Sequence, residues 1–130
     1  MKAKELMQFD WVCLEDDPTP RQVDFIRTGE VGLCWNKIVT PPYIKPLLIT
    51  PEILEKNGFK GEMYAFLDIS PDLYLEYYYH EHRLREWWTG IDEWNNDAEV
   101  KEIVFKCQCH YIHELQHALR LCGIEKEIVL

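Results

Sequence analysis

Apolar residues recur along this chain in two rhythms, and the clearer one lies near the C-terminus. With Leu115 as reference at about 100° per residue, Tyr111, Ile112, Ala118, Leu119 and Cys122 fall within about 60° of it, one stripe of an amphipathic helix. Gly123 follows, the residue type that accepts the left-handed conformation past a helix end, and Ile124 stands where a hydrophobic contact usually closes that cap. The pattern predicts one long C-terminal helix ending at Cys122 and anchoring a core. The same wheel sets His110, His113, His117 and Arg120 on the opposite face, with Glu114 and Leu121 on its flank. That face is expected to be solvated or covered by a partner.

Elsewhere the rhythm is two. Residues 11–15, 21–27 and 30–35 alternate as short strands, separated by Asp16-Asp17-Pro18-Thr19-Pro20 and by Thr28-Gly29. They predict a small, bent, SH3-like β lobe over residues 1–46. Thr50-Pro51-Glu52 opens a short helix with a threonine cap and a proline in its first turn, and Asn57-Gly58 stops it. Residues 63–69 and 73–79 flank Ser70-Pro71-Asp72 as a hairpin, and Thr89-Gly90 and Asn95-Asn96-Asp97 read as further turns. Residues 98–108 read as a strand or as an extension of the C-terminal helix from a capping box at 96–99; residues 127–130 close as a short strand. The expected fold class is α+β, with residues 47–130 forming an α+β lobe that shares one core with the first.

Tyr74, Tyr77, Tyr78, Tyr79, Trp87, Trp88 and Trp94 make the middle of the chain dense in aromatics. Such residues are expected to line the core of a sheet. Displayed outward, they would instead suit the stacking of bases or sugars.

Charge narrows the partners. The net charge is −9; residues 1–46 carry six Lys/Arg against seven Asp/Glu, and residues 47–130 eight against sixteen. An acidic second part disfavours direct nucleic-acid binding, which needs Lys/Arg clusters, and leaves a protein partner as the expectation. Five cysteines, an odd number, and the absence of a signal-like or membrane-length apolar run predict reduced thiols and a cytoplasmic location.

His113-Glu114-x-x-His117 spells a zinc-protease helix, in which two histidines hold the metal and the glutamate activates its water. A third protein ligand is required. Only Glu125 and Glu127 follow as acidic candidates, and no histidine does; Cys109 lies one helical turn before His113, and His80 and His82 stand farther off. The set His113, His117 and Cys109, with zinc as cofactor and Glu114 as base, therefore stays the alternative to a chain without metal. A Cys109–His113 nucleophile pair has only its spacing in its favour.

The phrases Thr50-Pro51-Glu52-Ile53-Leu54-Glu55-Lys56-Asn57-Gly58-Phe59 and Tyr111-Ile112-His113-Glu114-Leu115-Gln116-His117-Ala118-Leu119-Arg120-Leu121-Cys122-Gly123-Ile124 resemble those of a family of short proteins from gut bacteria of Bacteroides type. Glu5-Leu6-Met7-Gln8-Phe9-Asp10-Trp11-Val12 is similar as well. Members often sit in prophages and other mobile elements, and the family carries no established activity. Its usual form has Gln at the position of Glu114. The resemblance implies an origin on or near mobile DNA; with the acidic second lobe, the leading expectation is a non-enzymatic interaction or accessory protein, and the helical wheel gives the face of His110, His113, His117, Arg120 and Leu121 as its candidate contact surface, while a zinc-dependent hydrolase is the competing reading.

Overall fold

The computed structural model describes Met1 and residues 5–27, 29–34 and 37–130. Its strands are β1 (Trp11–Leu14), β2 (Asp17–Arg27), β3 (Glu30–Leu33), β4 (Lys37–Val39), β5 (Ile44–Pro46), β6 (Tyr64–Ser70), β7 (Leu73–Tyr78), β8 (Arg83–Asp92) and β9 (Ala98–Gln108). Two helices accompany them, α1 (Pro51–Lys56) and α2 (Ile112–Leu121). The fold is mostly β, built on two antiparallel sheets, and α2 has only ten residues. This corrects the expected α+β fold with one long C-terminal helix. Residues 98–108 are strand rather than helix, and residues 127–130 are not a strand.

Residues 1–49, 110–117 and 130 form one compact unit; residues 50–109 and 118–129 form a second. In the first, five strands run in the order β4-β3-β2-β1-β5, so the last strand closes back beside the first. A 3-10 turn, Pro41–Tyr43, lies between β4 and β5. Three strands were expected here; β4 and β5 are three residues each, too short to show alternation. Asp17-Pro18-Thr19-Pro20 is the start of β2 rather than a turn, because Glu15-Asp16 alone makes the hairpin that pairs Leu14 with Asp17. Thr28 of the expected turn and Trp35 of the expected third strand lie outside the described residues. Val12, Leu14, Val23, Val31, Leu33 and Ile44 form the core of this unit, each worth roughly 1.5–3 kcal/mol on burial.

In the second unit, β6, β7, β8 and β9 follow one another as hairpins in chain order. Gly90 lies inside β8 rather than in a turn: a side chain there would collide with the Trp88 ring, so the glycine makes room for an indole within the strand. The turn at 95–97 forms as expected, with Asn96 and Asp97 at φ +53 and +56. Ala65, Leu75, Tyr77 and Leu84, on one face of the sheet, are fully buried. The Tyr77 hydroxyl donates to the Cys109 carbonyl at 2.6 Å. For α1, the Thr50 hydroxyl accepts from Ile53 N–H, and the Asn57 amide group ends the helix while binding both the N–H and the carbonyl of Val129.

Candidate functional site

The start of α2 explains one residue of the zinc-protease spelling. Tyr111 stands just before the helix, and Glu114 reaches back so that its Oε1 accepts the N–H groups of His110 at 3.0 Å and Tyr111 at 3.1 Å. This is half of a capping box, satisfying donors that a helix N-terminus leaves open and placing a carboxylate at its positive end. Backbone bonds tie the same turn to the stretch after β5: Ile112 N–H donates to the Leu47 carbonyl, and Ile49 N–H to that of His110.

The next turn of α2 grips residues 9–11. Gln116 Oε1 accepts from Trp11 N–H at 2.8 Å while its Nε2 donates to the Phe9 carbonyl at 2.9 Å. His117 Nε2 meets Asp10 Oδ2 at 2.6 Å, and the same oxygen accepts from Met7 N–H at 2.7 Å. Asp10 is 0 % exposed; a carboxylate so buried demands such partners, and it sets His117 Nε2 as the protonated nitrogen. An imidazole oriented by a buried carboxylate is the arrangement that general bases and metal ligands share.

His113 lies one turn earlier, 5 % exposed, with the Tyr111 ring stacked on it at 5.9 Å and the His117 ring edge-on at 5.6 Å. Its Nδ1 is buried without a hydrogen-bond partner. Burial, chiefly, pulls its pKa below the ordinary histidine value, and His117 adds to the effect; Asp10, Glu114 and Glu5 act in the opposite sense. A cleft of about 540 Å³ opens beside these rings, lined also by Met1, Glu5, Pro46 and Glu114.

The histidine face, expected to be solvated or covered by a partner, is in part covered by the chain itself. His113 is buried, His117 is partly buried and bonded, and only His110, Arg120 and Leu121 of the proposed contact set are exposed. Among the described residues, no three His, Cys, Asp or Glu side chains are grouped to hold a metal ion. Cys109 is buried, its Sγ 3.4 Å from Cys107 Sγ. Cys122 is also a poor nucleophile: burial and the neighbouring Glu86 push its thiol up to about 11.

A second constellation lies on the other face of the β6–β9 sheet. The pairings Tyr64–Tyr78–Arg83, Phe66–Glu76–Arg85 and Asp68–Tyr74–Trp87 place these side chains on one side, opposite Ala65, Tyr77 and Leu84. Tyr64 stacks on Tyr78 at 4.5 Å and Tyr74 on Trp87 at 6.4 Å; Phe66 tilts against Tyr74 at 5.9 Å. Cations cover two of the rings, Arg83 that of Tyr78 and Lys101 that of Tyr74. Tyr64 and Phe66 remain 40 % and 41 % exposed. Glu76 Oε1, Arg83 Nε, Arg85 Nε and Trp87 Nε1 are buried without hydrogen-bond partners. The aromatics were legible in the sequence, but their direction was not, since that depends on register. Position-by-position alternation from Tyr77 inward would have put Tyr78, Tyr74 and Trp87 outward once the pairing was known.

No protein-family model, curated protein or solved structure matches this chain. No helix among the described residues is long and apolar enough to cross a membrane.

Proposed function

We propose that this chain is a small non-enzymatic interaction protein of mobile-element origin that acts in the cytoplasm and docks a protein partner on the open face of the β6–β9 sheet. One observation carries the reading: Tyr64 and Phe66 stand exposed on one sheet face, in ring contact with the half-buried Tyr78 and Tyr74 and beside Trp87 and Arg83. Tyr, Trp and Arg are the residues that dominate binding energy at protein interfaces.

The ring geometry favours a protein over a single-stranded nucleic acid. Base stacking needs free ring faces, whereas here the faces of Tyr64 and Tyr78, and of Tyr74 and Trp87, are turned to each other. The hydrolase reading needs the Glu114 carboxylate beside a metal-bound water, while its Oε1 holds two backbone amides at the helix start.

Hydroxyl-radical footprinting in extracts of the producing cells tests the reading. Tyr64 and Phe66 are expected to be protected relative to the purified chain, and Phe66→Ser should abolish that protection along with co-purification of the partner. Equal labelling in both settings would refute it. Saturable binding of an oligonucleotide that Arg83→Ala removes would replace the protein partner with a nucleic acid.

A further inference from the structure

The grip of α2 on residues 9–11 has an unusual centre. Gln116 and His117 supply its bonds to Phe9, Asp10 and Trp11, and His113 fills the space beside them without making a hydrogen bond through its buried Nδ1. We propose that His113 makes this attachment proton-operated: on acidification the ring takes up a proton that it cannot bond in place, and residues 112–117 release residues 9–11. This inference is independent of the docking face on the β6–β9 sheet.

The titratable groups around His113 are the carboxylates of Asp10, Glu5 and Glu114, the imidazole of His117 and the stacked Tyr111 phenol, and Met1, which carries the N-terminal amino group, lines the same cleft. The three carboxylates favour an imidazolium at His113, yet burial outweighs them and holds its pKa low. Asp10 is committed to His117 and Met7 N–H, and one oxygen of Glu114 to the helix cap. A proton gained at His113 therefore meets negative charge nearby but no acceptor at Nδ1. The sign follows from linkage. The closed form keeps His113 neutral, while the opened form protonates it near the ordinary value of about 6.5. The attachment is complete above that pH and weakens as pH falls below it.

Amide hydrogen exchange in the full chain reads this directly at Trp11, whose N–H Gln116 accepts, and at Met7, whose N–H Asp10 accepts. After correction for intrinsic rates, protection at both should fall below pH of about 6.5, by at most about tenfold per pH unit for one proton. The amides of β7 should hold theirs. His113→Leu, apolar and untitratable, should flatten the dependence. In the unaltered chain, the ring-carbon resonance of His113 should titrate below the ordinary histidine value, at the acid end of the range in which protection is lost, a readout that needs no variant. Trp11 protection that stays flat from pH 7.5 to pH 5, a His113 resonance that titrates at or above the ordinary histidine value, or an undiminished fall in His113→Leu would overturn the proposal.

Discussion

The histidine segment of α2 and the aromatic ladder of β6–β8 exchange the places that their side-chain types suggest. Histidines on the polar side of an amphipathic helix are expected in water, yet His113 is buried and His117 is bonded to a buried aspartate. Aromatics in a hydrophobic stretch are expected inside, yet Tyr64 and Phe66 stand on an open sheet face. Periodicity says which residues share a face. Whether that face is covered depends on what the rest of the chain brings to it. Here a segment more than a hundred residues earlier brings Asp10 and two backbone groups to the polar side of α2.

Substitutions sharpen this contrast. The largest effect belongs to the apolar stripe: Leu115 is fully buried, and Leu115→Ala should cost about 2–5 kcal/mol in chemical denaturation, through the cavity it leaves. A loss below about 1 kcal/mol would mean that α2 does not sit in a core at all. Next comes the polar side. His117→Ala strips the fully buried Asp10 of a partner, and should cost about 1–3 kcal/mol. A solvated histidine would give less than about 0.5 kcal/mol, so the same denaturation curve separates the two pictures. Glu114→Ala removes the bond to the first amides of α2, for about 0.5–2 kcal/mol. Glu114→Gln should recover much of that, since an amide oxygen still accepts; if it recovers nothing, charge rather than capping is at stake. The smallest effect is expected on the ladder. Phe66→Ser gives up one cross-strand ring pair, about 0.2–1 kcal/mol, and a larger loss would place Phe66 in a core instead of on a docking face.

Much of the chain was legible because short-range chemistry decides it. Thr50-Pro51 and Asn57 bound α1, Ser70-Pro71-Asp72 joins β6 to β7, and the stripe from Ile112 to Leu119 is buried at Ile112, Leu115, Ala118 and Leu119. What stayed hidden depends on distant partners. Gly90 has the spelling of a turn, and only the indole of Trp88 explains its place within β8. Nothing near Asp10 in the chain marks it as buried, because its partner His117 lies 107 residues away. Glu114 was read as a base or as the flank of a polar face, and its place as a cap of α2 lies in a side-chain direction that spacing does not encode.

The discontinuous make-up of the first unit also sets an order of events during synthesis. Residues 50–109 lie, in chain order, between two of its parts. The hairpins from β6 to β9 pair only with their neighbours in sequence, so they close short loops and can form as they leave the ribosome. Asp10, buried in the finished protein, must wait for His117, 107 residues later in the chain. For that interval a carboxylate destined for the interior remains in water, and the segment around it stays open to chaperones and proteases while the hairpins from β6 to β9 are already closed.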